Sequence, residues 1–309
     1  MTSTSTIPAV RKHPLPDRGA TRRGARARRA RILSLGYVTP TWILMITVGV
    51  IPTGYAIWMS VTDQSLTASS PDFVGLGNFV ASVFTPAFLS SLGVTALFVV
   101  AGLLIQFTVG YLLAVLIHRQ LRGFRIARTV LLVPMLLTPV VVGLIWQFML
   151  SPGLGVITTF ADLFGWHLNV FADPWSARLV VVLIDSWMFI PFVMLMLSAG
   201  MTALPEEPLE AAAIDGASWW QTTRYIILPM LRPVITITLL VRCVDAVRLF
   251  DVIFATTKGG PGTATQSVSM LTYTTTFQFY QFGYGAAMSI AVAVLMIPVY
   301  FIYIRLTRI

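Results

Sequence analysis

Four ionisable side chains stand inside a stretch that is otherwise oily enough to be buried in lipid. The segment VRCVDAVRLFDVIF places Arg242, Asp245, Arg248 and Asp251 at successive i,i+3 steps with alternating sign. On a helix such neighbours share a face and can pair. Charges at membrane depth cost about 2.5–3.5 kcal/mol each on insertion scales, so they face a bundle interior or a water-filled path. Two chemistries follow: hydrogen bonds to a polar solute in transit, or ion pairs that latch one gate conformation. The latch is the expected role for Arg242 and Asp245, while Arg248 and Asp251, nearer the outer end, stay open between the two. Asp185 in LIDSWMFIPF is a candidate cross-helix partner, and Trp187 beside it offers a ring that can stack on a sugar face.

Reaction chemistry is not indicated. His13, His118 and His167 fall in or beside three different connections, and Cys243 is the single cysteine. Neither a metal ligand set nor an internal disulfide is therefore expected. No Ser-His-Asp or paired-carboxylate arrangement falls in one predicted compartment, and KGGPG, residues 258–262, lacks the G-x-x-x-x-G-K-[ST] order of a phosphate loop. The chain is expected to be no enzyme and to hold no cofactor or metal of its own.

What must position the charges is a set of membrane helices. Of 309 residues, 56% are hydrophobic and only 11% charged, with mean hydropathy +0.81, whereas a soluble domain carries about a quarter charged residues. A bilayer core needs roughly 20 apolar residues in helix. Six segments qualify, at about 35–61, 89–117, 129–150, 177–203, 226–255 and 283–305, so the expected fold is all-α, a polytopic integral membrane protein with six transmembrane helices. The first run, Leu33 to Val61, is too long for the h-region of a signal peptide and lacks an A-x-A-like cleavage site, so it is expected to be retained. Pro40, Pro52, Pro134, Pro139, Pro191 and Pro298 lie within the spans, where they remove backbone hydrogen bonds and bend helices.

Charge sets the orientation. Arg119, Arg122, Arg125, Arg128, Arg224, Arg232, Arg305 and Arg308 fall on the side of the N-terminus, while the opposite connections hold Asp63, Asp72, Asp162 and Asp173 with Lys258 as their one cation. The positive-inside rule then puts both termini in the cytoplasm. Trp58, Trp146, Trp166 and Trp175 fall near the outer boundaries, where anchoring rings are favoured. Nine of the Lys/Arg behind the net charge of +9 lie between Arg11 and Arg31. This Pro/Gly/Ala/Arg-rich arm, residues 1–34, is expected to be disordered and held at anionic lipid headgroups. Without aromatic interleaving or a recognisable fold, it does not suggest nucleic acid.

One polar excursion, residues 204–225, interrupts the oil. LPEEPLEAAAIDG suits a short helix with Pro205 or Pro208 in its first turn, Glu206, Glu207 and Glu210 at its positive end, and Gly216 as a left-handed stop. Ser218-Trp219-Trp220-Gln221 is an S-x-x-Q capping box for a second helix running into Pro229. Ala211, Ala212 and Ala213 leave a narrow surface that a partner can approach.

Glu210-Ala211-Ala212, three residues, Gly216, nine residues, Ile226, one residue and Leu228-Pro229 together resemble the EAA loop of ABC importer permeases. The resemblance extends over about residues 37–309, through GLGNF at 75–79, FRIARTVLLVP at 124–134, IWQFMLSPGLG at 145–155, LFDVIFATTKGGPGTAT at 249–265 and FGYGAAMSIAV at 282–292. It resembles specifically the first permease of the carbohydrate-uptake branch, with Thr256-Thr257-Lys258 departing slightly from the family's L-T-x-G-G-P signature. The resemblance implies a type I ABC importer permease domain over 35–309, in a bacterial cytoplasmic membrane. It implies a sugar or related polar solute: an oligosaccharide, polyol or glycerophosphate. It implies a second homologous permease, two cytoplasmic ATPase subunits that hold ATP and Mg, and an external solute-binding protein. Glu210, Ala211, Ala212, Asp215, Gly216, Ile226, Leu228 and Pro229 then belong to a coupling helix seated in the ATPase, with Asp185, Trp187, Arg242, Asp245, Arg248 and Asp251 as candidates for the translocation path. An ion-coupled secondary transporter using the intramembrane Asp/Arg set is the rival reading, and it gives the EAA loop no task.

Overall fold

The computed structural model describes residues 38–66, 71–118 and 124–307. The basic arm, Arg119, Arg122 and Arg308 lie outside them. Among the described residues, secondary structure is helical apart from two isolated β-bridges, Thr62 with Phe73 and Ser65 with Gln281. The chain divides into two compact units, Met1–Tyr55 and Ala56–Ile309. The first is described through the opening turns of helix α1, Val38–Ser60, where Trp42, Leu44, Val48 and Val50 are all exposed. Its turn Ile46–Val50 is widened to π geometry just ahead of Pro52, whose missing N–H and bulky ring disturb the regular ladder.

In the second unit, α2 (Gly77–Val83) and α3 (Pro86–His118) are followed by α4 (Phe124–Leu136) and α5 (Pro139–Met149). Then come α6 (Val156–Asp162), α7 (Pro174–Thr202), α8 (Glu207–Ile214), α9 (Trp219–Met230) and α10 (Arg232–Val247). Short α11 (Asp251–Ala255) and α12 (Val268–Tyr273) lead to the final helix α13, Phe282–Thr307. The principal packing pair is α3 against α7. Their contact is close because Gly110 faces Val193: a Cβ on Gly110 would stand 2.8 Å from Val193 Cγ1. One core cluster joins Phe98, Val142, Ile184, Met188, Ile253 and Met270, drawn from α3, α5, α7, α11 and α12. A second joins Ala114, Val193, Leu197, Met201 and Leu231.

Among the described residues three helices, α1, α3 and α7, are long and apolar enough to cross a membrane unbroken. The third and fifth expected spans are not straight: the third bends beside Pro139, where a proline bend was expected, whereas the break in the fifth corrects the unbroken helix expected over 226–255. The third breaks at Leu137-Thr138, bending by 101°, because Thr138 precedes Pro139 and takes extended backbone (φ −68, ψ 130). The fifth bends by 70° at Leu231, where Pro233 opens the next helix and the fully buried Leu231 side chain fills the core beside Gly200. It breaks again after Val247, and α11 begins only at Asp251. Polar groups freed there find partners: Ser267 donates its hydroxyl to the Leu249 carbonyl at 2.9 Å and caps α12 by accepting from the Met270 amide at 3.2 Å. The sixth expected span falls on α13, of which Phe282–Pro298 is a shorter apolar helix.

At its start α7 is capped by Asp173, which accepts from the amides of Ser176 at 2.9 Å and Trp175 at 3.0 Å. Those bonds, the Ser176 amide foremost, hold the Asp173 carboxyl below the usual carboxylate range. Arg178, one turn on, donates from Nε to the Ala264 carbonyl at 2.7 Å and lies 5.0 Å from the Trp175 ring centre. It pins the 256–267 connection, a role that a reading of connection charges alone had missed.

Overpacking the α3–α7 contact is the simplest test of this arrangement. Gly110→Val should lower stability of the detergent-solubilised chain by about 1–3 kcal/mol, read as a fall in its thermal unfolding midpoint. Gly93→Ala, whose Cβ would meet nothing within 4 Å, should leave that midpoint unchanged or raised.

Candidate functional site: a buried ion pair and a glycine elbow

Arg242 of α10 is only 1% exposed, and its guanidinium is engaged by two other helices. Nε donates to Gln106 Oε1 of α3 at 3.0 Å, and Nη2 donates to Asp185 Oδ2 of α7 at 3.1 Å. Gln106 closes the ring by donating from Nε2 to the same Asp185 oxygen at 2.8 Å. The face of Phe189 covers the cation, 3.6 Å from Cζ to the ring centre. The cluster is cohesive because Nε and Nη2 each meet an acceptor in a low dielectric, where an unpaired charge would be expensive, while Nη1 has no hydrogen-bond partner and only the longer ion pair to Asp245. Gly102 leaves the space it needs, since a Cβ there would already lie 3.4 Å from Gln106 Nε2.

The neighbour four-charge ladder is different from the one the spacing suggests. Asp245 does pair with Arg242, but at 3.6 Å from Nη1, longer than a hydrogen bond, and its side chain is 50% exposed. Asp185 is the principal partner instead. Arg248 and Asp251 do not continue the stripe, because α10 stops at Val247. Arg248 lies exposed at the carbonyl end of α10 and Asp251 exposed in the first turn of α11, each with the sign its helix end favours. Among the described residues neither forms a salt bridge. Gln106 was missed by sequence reasoning, though a lone amide inside an apolar span carries a signal of its own, since it needs a partner there.

Trp187, 40% exposed, packs edge-to-face on Trp146 with ring centres 5.8 Å apart. Trp146 is thus partly a packing residue rather than a free interfacial anchor. Arg248 faces a cavity of about 640 Å³ between α10, α12 and α13, with Cys243, Ser269, Thr272 and Ser289 in its wall. A second cavity of about 480 Å³ shares Ser269, Thr272 and Ser289 and adds a ladder of rings, Phe250, Tyr273 and Phe277. Both walls are mostly apolar, with Val244, Val292 and Met296 in the first, and the Ser269 and Ser289 hydroxyls donate to the Val247 and Gly285 carbonyls. The structure therefore groups Asp185, Arg242 and Asp245, and sets Arg248, Asp251 and Trp187 apart from them.

The second arrangement is the 204–229 elbow. Helix α8 carries Glu207 and Glu210 in its first turn, Pro208 beside them, and ends in paired C-terminal bonds: Gly216 N–H to Ala213 O at 3.2 Å and Ala217 N–H to Ala212 O at 2.9 Å. Gly216 sits at φ +72, where a side chain would strain the turn. Ser218 then caps α9 reciprocally: Gln221 N–H donates to Ser218 Oγ at 3.3 Å, and Ser218 N–H to Gln221 Oε1 at 2.7 Å. Within α9 the turn Thr223–Ile227 is widened to π geometry ahead of Pro229. Of the three alanines, Ala212 faces inward, so only Ala211 and Ala213 offer the expected approach surface. Glu210, Asp215 and Gly216 are exposed, Ile214 is 86% exposed, and Ile226, Leu228 and Pro229 are half-buried. The elbow is hydrogen-bonded through both turns and bare on its outer face.

Removing the carboxylate from the cluster isolates its contribution. Asp185→Leu should lower the stability of the solubilised chain by about 3–5 kcal/mol by stranding the Arg242 charge, and adding Arg242→Met should recover most of that loss. Equal midpoints for wild type and the single variant in chemical unfolding would contradict a cohesive role.

A model of the family described as binding-protein-dependent transport system inner membrane component matches residues 106–309. The chain is 34% identical over 239 residues to the trehalose transport system permease protein SugA of Mycobacterium tuberculosis, covering 77% of each chain. It is 31% identical over 244 residues to the trehalose/maltose transport system permease protein MalF of Thermococcus litoralis, covering 78% of this chain and 83% of that one. With the sn-glycerol-3-phosphate transport system permease protein UgpA of Yersinia enterocolitica it shares 36% identity over 220 residues, 70% of this chain and 74% of the relative. Its fold is similar to a chain in the crystal structure of a bacterial ABC transporter involved in the import of the acidic polysaccharide alginate. The TM-score is 0.78 at 22% identity, over 93% of this chain and 98% of that one.

Proposed function

The chain belongs to the family of inner membrane components of binding-protein-dependent transport systems, and we propose that it carries a sugar or related hydroxylated solute in an ATP-driven importer. It is a permease subunit and not an enzyme. In this reading it spans the membrane six times with both termini cytoplasmic, residues 35–309 forming the permease domain. It pairs with a second, similar permease, receives solute from an external binding protein, and relies on two cytoplasmic ATPase subunits to hold ATP and Mg. Relatives that import trehalose and maltose support the solute class. The observation that carries the coupling role is the elbow: a doubly capped, glycine-turned helix pair with an exposed rim of Glu210, Ala211, Ile214 and Asp215. Its capped turns suit it to transmit a displacement, and the bend at Leu231 joins it directly to the helix bearing Arg242.

The Arg242 cluster serves as the latch. Asp185 and Gln106 hold α10 against α3 and α7, while Asp245, half in the open, is the carboxylate that solute or water meets. The hydroxyl and ring surface near Arg248 is the route beyond it. An ion-coupled carrier would give the elbow no task.

Affinity purification of the tagged chain in mild detergent, from cells that contain its partners, tests the assignment. Stoichiometric recovery of an ATPase, stimulated by a sugar-loaded binding protein, is the expected result; a chain that purifies alone would overturn it. Glu210→Lys and Gly216→Pro should each insert normally yet lose uptake by about tenfold or more, since the charge at the contact is reversed in one and the left-handed turn forbidden in the other. Wild-type uptake by both would remove the coupling role.

A further inference from the structure

Beyond the path and the elbow there is a built polar pocket at the end of the bundle where α1 gives way to the 62–88 connection. Its volume is about 380 Å³, at the small end of ligand sites. Its floor is fixed by backbone. The Asn78 amide, buried, donates at 2.9 Å to both the Ser60 and Thr62 carbonyls, and Gly283 N–H donates to the Gln64 carbonyl at 3.0 Å. Gly283 admits no side chain, since a Cβ would stand 2.8 Å from Asn78 Nδ2. The bridge between Ser65 and Gln281 ties the two walls together. Over this floor stand Asp63, Gln64, Ser65 and Gln281, with the rings of Tyr280 and Tyr284. Tyr280 is held at φ +56, a left-handed conformation that is costly for a residue with a side chain and that clusters at ligand sites.

We infer that this pocket is a second saccharide site, at the outer rim, for an uncharged sugar ring. Its lining combines one carboxylate, the three amides of Gln64, Asn78 and Gln281, and the Ser65 hydroxyl with aromatic faces, and among the described residues no lysine or arginine lines it. Amides and a carboxylate satisfy neighbouring hydroxyls, which both donate and accept, and the rings cover the C–H face of a sugar. Phosphate or uronate finds no cation there and meets the Asp63 charge. The pocket thus selects neutral sugars before the path is reached. Its chemistry stands on its own lining; its purpose as a waiting site rests on the importer reading and its topology.

Saturation-transfer NMR of the full chain in detergent, titrated with trehalose and maltose, tests it, with glycerol-3-phosphate and arginine methyl ester as contrasting probes. Saturable transfer from a neutral sugar is expected. Gln281→Ala and Tyr280→Gly should each weaken it about tenfold, the worth of one good polar or ring contact, while thermal midpoints stay near wild type. Transfer that is unchanged in both variants, absent for both sugars, or strong for the arginine ester alone would overturn the inference. Uptake assays on the assembled transporter separate the two ideas. Failure of all ATP-driven sugar import would sink the importer reading even with the pocket occupied, and normal import with an indifferent pocket would sink only this one.

Discussion

A guanidinium enclosed by an apolar bundle has no water to complete its hydrogen bonds, so the protein must supply them from side chains in fixed places. Arg242 imposes that constraint on three helices at once. Gln106 on α3, Asp185 on α7 and the Phe189 ring all take positions that only make sense together. Within lipid, apolar packing alone discriminates weakly among helix arrangements, because the acyl chains are as apolar as leucine. A buried ion pair discriminates more strongly, since a register that separates Arg242 from Asp185 strands an ion. The close approach at Gly110 and the core around Ile184 and Met188 are consistent with the register this cluster selects.

The same helix that carries Arg242 is bent at Leu231 and broken after Val247. Backbone groups released at such breaks must be satisfied within the protein, and the hydroxyl of Ser267 reaching the Leu249 carbonyl shows how. Broken spans place polar backbone and hydroxyls at membrane depth, beside the cavity wall of Ser269, Thr272 and Ser289. A straight helix would have buried them in its own ladder. In the proposed importer the breaks therefore serve two ends: they line a route for a hydroxylated solute and divide α9–α10 into a lever with a capped elbow at one end and a clasp at the other.

Features encoded by neighbouring residues were legible in the chain. The Ser218–Gln221 capping box and the left-handed Gly216 turn depend on residues within one helical turn, and both form. The positions of the apolar segments followed from composition, with α3 and α7 each beginning three residues earlier than expected because Pro86 and Pro174 open them. The break before Pro139 was marked by its proline, whereas those at Leu231 and Leu249-Phe250 were hidden, since these residues are as apolar as their surroundings and the competing stabilisation comes from Gly200 and Ser267, distant in sequence. The charge stripe misled for the same reason: regular i,i+3 spacing presumes an unbroken helix through Asp251. Asp185 as a cross-helix partner was anticipated, whereas Gln106, carrying no charge in a long apolar run, was not.

Transport into proteoliposomes separates the two possible drivers of solute movement, ATP acting through the elbow as proposed and an ion gradient. The chain would be reconstituted with its partner permease, ATPase subunits and sugar-loaded binding protein, and uptake of labelled trehalose followed while ATP and the proton or sodium gradient are varied independently. Uptake that requires ATP and is indifferent to ionophores is the result predicted. Uptake sustained by an ion gradient without ATP would contradict the account.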